Sequence, residues 1–174
     1  MTNIRSIIQV IGCEDIDKLL SLETVVRNVK KPPDGGKSSF LINSVDYCES
    51  IHDIPENYSE KDILEFIAQY KRRYNRIIDL IKSDSHAVFF LHHSRILENN
   101  KNDFIECVKK INPNCIFSLI ELTTNKDEDR KFIRENNNIL TINLDKYKLR
   151  EKIVGDWRNI HLDWRNIFIT ILKN

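Results

Sequence analysis

The sequence is poor in small and turn-forming residues. Its 174 residues include two alanines, four glycines and four prolines, against 26 isoleucines, 18 asparagines and 16 lysines. Because these excesses and deficits follow codon content, we expect an AT-rich genome, such as that of a large DNA virus or an AT-rich microbe. No Walker spacing surrounds Gly35 and Gly36, and no glycine fingerprint follows the first apolar run. The sequence therefore argues against a phosphate loop and against a dinucleotide site.

Patterns for metal binding and for disulfides are also missing. The four cysteines are far apart, with no Cys-x-x-Cys and no Cys/His pairing at zinc spacing. They are Cys13, Cys48, Cys107 and Cys115. We therefore expect no metal and no cofactor. We expect free thiols in a reducing compartment, the cytoplasm, which is the host cytoplasm if the chain is viral.

Neither sign of charge dominates. The 27 basic and 26 acidic side chains give a formal net charge of +1. With no global field to attract nucleic acid or an anionic membrane, we expect neither as a partner. The apolar residues at 1–12 are interrupted by Arg5 and Gln9, and this run is too short to cross a bilayer. The expected partner is a protein that the sequence does not identify, or a small ligand.

Apolar runs alternate with helical patterns in the second half of the chain. The runs are 87–91, 115–122 and 139–144, and the predicted helices between them are 103–111 and 127–135. Runs that are apolar on both faces and alternate with helices are typical of a parallel sheet covered on both sides. We therefore expect a single α/β domain over residues 1–174, with a three-layer, mostly parallel sheet flanked by helices.

The first half of the chain predicts a helix, a loop, a hairpin and a longer helix. These elements are a helix over 15–29, a flexible loop over 31–38, strands over 39–42 and 45–51, and a helix beginning at Ser59. Ser59 and Asp62 have the spacing of a capping box. A final helix is predicted over 162–173, with Trp164, Ile167, Phe168 and Ile171 on one face.

Polar residues follow each predicted strand of the second half. In open parallel sheets, ligands bind beyond the carboxyl ends of the strands. The candidate ligand-binding residues there are His92, Ser94, Arg95, Asn125 and Asp145. Together they would supply a base, donors for an anion and a carboxylate. The alternative is that they are solvated loop residues, because polar residues follow buried strands in any such fold.

Cys13 and His52 form a second candidate site. Cys13 follows Gly12 and directly precedes the predicted helix, whose dipole would stabilise a thiolate. His52 lies in the His52-Asp53 step after a predicted strand, and a histidine of near-neutral pKa can act as a general base. A catalytic Cys–His pair is therefore one interpretation. The other is an inert thiol and a structural histidine.

Four segments, in this order, resemble a poorly characterised papain-like cysteine peptidase family of bacteria and large DNA viruses. They are 50–53 (Ser-Ile-His-Asp), 70–77, 87–91 and 163–168. The resemblance covers residues 40–170 and implies a Cys–His hydrolase with His52 as the family's histidine. The chain lacks the family's Pro-Phe-Asp-Trp segment, and Cys13 lies closer to His52 than the family pattern has it. Either Cys13 is a displaced equivalent, or the nucleophile is lost.

Three functions remain open at the level of sequence. The first is a divergent, inactive member of that family that acts as a binding or host-interaction protein. The second is a Cys–His thiol hydrolase that uses Cys13 and His52. The third is a small-ligand or nucleotide-binding α/β domain that uses the loops at the strand ends.

Overall fold

The computed structural model describes residues 4–32, 35–43, 45, 49–83, 87–92, 96–147 and 162–173, with the backbone alone at 49–52. The chain divides into two compact units. The first comprises residues 1–86 and 102–115, and the second comprises 87–101 and 116–174. A single domain over residues 1–174 stays a prediction.

Five α-helices, seven strands and one 3₁₀ turn lie within the described ranges. In chain order they are α1 (Ile4–Ile11), α2 (Ile16–Leu19), β1 (Val25–Arg27), β2 (Lys37–Ile42), β3 (Glu49–Pro55), α3 (Glu60–Lys82), β4 (Val88–His92), α4 (Glu98–Ile111), β5 (Phe117–Thr123), β6 (Phe132–Asn136), β7 (Ile139–Asn143), the 3₁₀ turn (Leu144–Tyr147) and α5 (Trp164–Lys173).

The first unit contains a three-stranded antiparallel sheet in the order β1-β2-β3. The predicted pairing of two strands is confirmed for β2 and β3, in which Phe40 lies opposite Ser50, but the second strand begins at Glu49 and not at residue 45. β2 begins at Lys37, inside the segment predicted as a loop, and Lys37 pairs with Pro55. Residues 33 and 34 of that predicted loop lie outside the described residues.

The helix predicted over 15–29 is wrong. α2 ends at Leu19, where the Thr24 hydroxyl donates to the Leu19 carbonyl at 2.7 Å. The chain then forms β1, in which Val25 pairs with Ile42 of β2. The two adjacent β-branched valines favour a strand once a pairing partner is present. The apolar spacing that indicated a helix is therefore divided between a short helix and an edge strand.

α3 begins where the sequence predicts. The Ser59 backbone N–H donates to Oδ2 of Asp62 at 2.7 Å, as a capping box requires. The Ser59 hydroxyl bonds to the same oxygen, and these bonds hold the pKa of the Asp62 carboxyl below its usual value. The apolar stripe is buried at Ile67 and Ile81, whereas Ile77 is exposed.

The second unit contains a four-stranded sheet in the order β4-β5-β7-β6. β4, β5 and β7 are parallel, and β6 is antiparallel to β7. The mixed α/β class is confirmed. A three-layer, mostly parallel sheet is wrong, because the sheet of the first unit is antiparallel throughout.

The helix predicted over 127–135 is also wrong. Its second half is the strand β6, in which Phe132 pairs with Ile142 and Ile133 pairs with Thr141. Successive side chains of a strand point to opposite faces, so Phe132 packs against the core of this unit while Ile133 lies on the other face. The acidic residues that resemble a helix start instead occupy the turn before β6.

One face of this sheet carries the apolar core of the second unit. Ile120, Leu140 and Ile142 pack there with Ile167 and Ile171 of α5. Trp164 and Phe168, which were predicted to share that buried face, are exposed and contact each other instead, with ring centroids 6.0 Å apart.

β4 lies at the edge of the sheet, and it is not covered on both faces as predicted. Its residues Phe89 and Leu91 are exposed. None of the helices in the described ranges combines the length and hydropathy that crossing a membrane requires.

Candidate functional site

A cavity of about 590 Å³ opens at the carboxyl ends of β5 and β7 in the second unit. This volume lies in the range of small-molecule sites. The lining residues come from α4, β5, β6, β7 and the turn before β6. They are Lys101, Glu121, Leu122, Thr123, Thr124, Asn125, Glu128, Arg130, Phe132, Ile133, Glu135, Thr141 and Asn143.

An ionic cluster that is buried at Lys101 and Glu121 and open to solvent at Glu135 forms the floor of the cavity. The Lys101 ammonium lies 3.1 Å from Oε2 of Glu121 and 2.8 Å from both carboxylate oxygens of Glu135. Burial by itself would lower the pKa of Lys101, but the hydrogen bonds to Glu135 and Glu121 outweigh burial and raise it above its ordinary value. Lys101 is therefore a fixed cation and not a nucleophilic amine.

The Glu121 carboxylate is held on both oxygens. Oε1 accepts the backbone N–H of Ile96, and Oε2 accepts the Thr141 hydroxyl at 2.6 Å. The same hydroxyl lies 3.2 Å from Oε1 of Glu135. The strand register brings the Glu121 and Thr141 side chains together, because Glu121 of β5 pairs with Thr141 of β7 and paired residues of parallel strands share a face.

Asn143 organises the polar rim of the cavity. Its Oδ1 accepts the backbone N–H groups of Asn125 at 3.1 Å and of Asp145 at 3.2 Å. Its Nδ2 donates to the carbonyls of Asn125 at 2.7 Å and of Glu128 at 3.1 Å. One buried amide thus joins the segment after β5 to the segment after β7.

An ion pair lies at the mouth of the cavity. The Arg130 guanidinium donates two hydrogen bonds to the Glu128 carboxylate, from Nε to Oε1 at 2.9 Å and from Nη2 to Oε2 at 3.0 Å. These bonds lower the pKa of the Glu128 carboxyl to about 2. The charges of Arg130 and Glu128 are therefore paired with each other.

The cavity brings together some of the ligand-binding residues predicted from sequence. Asn125 lines it, and Asp145 is tied to it through Asn143. His92 is half-buried at the end of β4 and pairs in register with Glu121, so both lie on the same face of the sheet. Ser94 and Arg95 lie outside the described residues.

Cys13 belongs to the first unit, and its surroundings differ from the prediction. α2 begins at Ile16 and has four residues, and its N-cap is Asp15, whose carboxylate accepts the N–H groups of Asp17 and Lys18. Cys13 therefore does not directly precede a helix. Its thiol is half-buried and donates to the Asp15 carbonyl at 3.1 Å.

His52 lies on β3, where the described part of the residue is its backbone. Its neighbour Asp53 accepts a hydrogen bond of 2.9 Å from the Tyr70 hydroxyl of α3. The assignment of catalysis to Cys13 and His52 stays a prediction.

The charged and polar residues of the cavity that the sequence did not indicate include Lys101, Glu121, Arg130, Glu135 and Asn143. One signal for Glu121 is present in the sequence, since it is the single charged residue in the apolar run 115–122. A charge in a buried strand requires a partner. The identity of that partner, Lys101, depends on tertiary structure.

The comparisons with known proteins do not assign the chain to a family. No protein-family model matches it, and no solved structure matches it. Structural maintenance of chromosomes protein 2 of Saccharomyces cerevisiae is 28% identical over 176 aligned positions, which cover 91% of this chain. The chain spans 14% of the length of that protein.

Proposed function

We propose that the second unit binds a small, uncharged polar molecule of nucleoside size in the cavity at the ends of β5 and β7. The observation that carries this proposal is the composition of the lining, in which each cation is already paired and the remaining groups are amides, hydroxyls and apolar side chains. This proposal develops the third of the functions that the sequence leaves open.

The charges of the lining favour an uncharged ligand. Lys101 is bonded to Glu121 and Glu135, and Arg130 is bonded to Glu128. Two cations against three carboxylates leave a formal charge of −1 on the lining (+2 − 3). A phosphate would have to displace a carboxylate from one of these pairs, so the pairs disfavour an anionic ligand.

The remaining groups suit a ligand with one apolar face and several hydrogen-bonding edges. Leu122, Phe132 and Ile133 supply apolar contact surface. Thr123, Thr124 and Asn125 supply hydroxyl and amide groups at the rim. Mixed linings of this kind bind small molecules by apolar burial and orient them by a few polar contacts.

The test is a chemical-shift titration of the full ¹⁵N-labelled chain with adenosine, guanosine, cytidine and uridine, and separately with inorganic phosphate. Binding of a nucleoside should shift the amides of residues 122–125 and 141–143. Thr124→Trp, which places an indole at the mouth, should abolish the shifts. Lys126→Trp, an exposed position two residues away outside the lining, should preserve them.

Two results would refute the proposal. In the first, all four nucleosides leave these amides unchanged at millimolar concentration while the spectrum remains that of a folded chain. In the second, phosphate alone shifts them, which would show that an anion displaces the internal carboxylates.

The papain-like resemblance supports a second proposal, that the first unit is a thiol hydrolase with Cys13 as nucleophile and His52 as base. Its inactive form, a cytoplasmic binding or host-interaction protein without a nucleophile, is the companion proposal. The half-buried position of the Cys13 thiol is compatible with both proposals. Iodoacetamide at pH 6 separates them. Labelling of Cys13 much faster than of Cys48 supports the hydrolase, and equal rates support the inactive form.

A further inference from the structure

Cys107 packs against the backbone next to Cys13 in the first unit, although 94 positions separate the two cysteines in the sequence. The Sγ atom of Cys107 on α4 is 3.3 Å from the place that a Cβ would occupy on Gly12. Cys107 also donates a weak hydrogen bond to the Ile8 carbonyl at 3.7 Å. Since Gly12 directly precedes Cys13, the Cys107 thiol packs against the backbone beside Cys13. The absence of a side chain on Gly12 makes this approach possible.

Tyr74 of α3 contacts the backbone at Cys13. Its hydroxyl donates to the Cys13 carbonyl at 3.0 Å and thereby fixes the backbone at that residue. Burial raises the pKa of Tyr74, and negative charge on Cys13 and on Cys107 raises it further.

We propose that Cys13 and Cys107 form a reversible intramolecular disulfide when the chain meets hydrogen peroxide. Adjacent Cα atoms are about 3.8 Å apart, and a disulfide requires Cα atoms within about 4.4–6.8 Å. The Cys107 sulfur packs beside Gly12, one residue from Cys13, so the bond requires a rotation of the Cys13 side chain toward it. The Cys13 side chain has to turn away from the Asp15 carbonyl, which costs one weak hydrogen bond.

The reaction has two steps, each of which releases water. The Cys13 thiolate attacks peroxide and breaks its O–O bond, forming a sulfenic acid on Cys13 and releasing hydroxide. The hydroxide takes up the proton that the thiol lost on ionising and becomes one water molecule. The Cys107 thiol then attacks the oxidised sulfur, the S–S bond forms, and the sulfenic hydroxyl leaves as a second water molecule. Burial raises the pKa of the Cys107 thiol and disfavours its thiolate, so we assign Cys107 the role of the resolving thiol.

This modification is independent of the cavity in the second unit. It would, however, remove the nucleophile of the proposed thiol hydrolase, since Cys13 cannot attack a substrate while it is part of a disulfide. The thiol-to-disulfide change would then be an oxidative switch on the first unit.

The experiment treats the full reduced chain with peroxide, blocks remaining thiols with N-ethylmaleimide, and maps the non-reduced digest by mass spectrometry. We expect a linked peptide pair that contains Cys13 and Cys107 and disappears with dithiothreitol. Titratable thiols in the denatured monomer should fall from the four of the sequence by two. Cys13→Ser and Cys107→Ser should each abolish the link.

A double variant, Cys48→Ser with Cys115→Ala, supplies the matched control because it removes the other two thiols and leaves the pair intact. The link should persist in it, and wild-type mapping carries the test if the double variant fails to fold. Peroxide treatment that converts Cys13 to sulfinic acid without linkage would overturn the proposal. A link from Cys13 to Cys48, or one found only between two chains, would also overturn it.

Discussion

The Lys101 ammonium lies 3.1 Å from Oε2 of Glu121, and the two side chains are 5% and 2% exposed to solvent. Desolvating two charges is expensive, and such a pair is stable only when further hydrogen bonds satisfy the remaining atoms. Thr141, the Ile96 N–H and Glu135 supply those bonds. The floor of the cavity is therefore an ionic centre whose parts depend on one another.

Lys101→Met should destabilise the protein by about 3–5 kcal/mol, because it leaves a buried carboxylate without its counter-ion. Chemical denaturation at neutral pH measures the loss. Lys110→Met is the matched control, since Lys110 pairs with Glu14 at 3.8 Å on the surface. Its cost should stay below about 1 kcal/mol.

The double variant Lys101→Met/Glu121→Leu should recover much of that loss, since it removes both charges together. Equal destabilisation by Lys101→Met and Lys110→Met would show that the buried cluster is not a coupled ionic centre.

Thr141→Val should cost about 1–3 kcal/mol, because it removes the hydroxyl that donates to the Glu121 carboxylate and changes the shape of the side chain little. Thr123→Val, at the carboxyl end of the neighbouring strand β5, is the control. The Thr123 hydroxyl lies 3.5 Å from the Ile142 carbonyl, the limit of a hydrogen bond, and its removal should cost less than about 1 kcal/mol. Comparable losses in the two variants would contradict the special role of Thr141.

Local signals explain which parts of the fold could be predicted. The start of α3 is correct because a capping box is formed by residues three positions apart. The sequence of β6 predicts a helix because the acidic turn before it resembles a helix start, whereas its conformation is determined by its partner β7. Pairing overrides local propensity in such segments.

The same distinction applies to the candidate site. Asn125 was predicted because it follows an apolar strand, a relation visible within a few residues. Glu121 and Asn143 lie inside strands, and their importance depends on register with Thr141 and on the turns that meet at the sheet end. Lys101 comes from a helix, and nothing near it in the sequence indicates a carboxylate partner on β5 or β6.

Asn143→Asp should distinguish the two roles of the Asn143 amide at the rim, as an acceptor and as a donor of hydrogen bonds. The variant keeps an oxygen that can accept the N–H groups of Asn125 and Asp145, but it loses the Nδ2 donor to the carbonyls of Asn125 and Glu128. Amide hydrogen exchange at Asn125 and Asp145 should therefore remain slow, whereas Asn143→Ala should accelerate it. Exchange at Ile120 in the centre of β5 is the internal reference. Unchanged exchange at both amides in Asn143→Ala would show that the side chain does not hold the rim.

Glu128 should titrate near pH 2 and not near its ordinary 4.5, because Arg130 binds its ionised form. Since the pKa is lower in the folded state, the linked stability is present above pH 4.5 and is lost as the pH falls toward about 2. The ¹³C shift of the Glu128 side-chain carboxyl carbon measures the midpoint of this titration directly. Arg130→Ala should return it toward 4.5, while Lys146→Ala, which removes a weaker and more distant charge, should move it much less. A Glu128 midpoint that is the same in wild type and Arg130→Ala would contradict the ion pair at the mouth of the cavity.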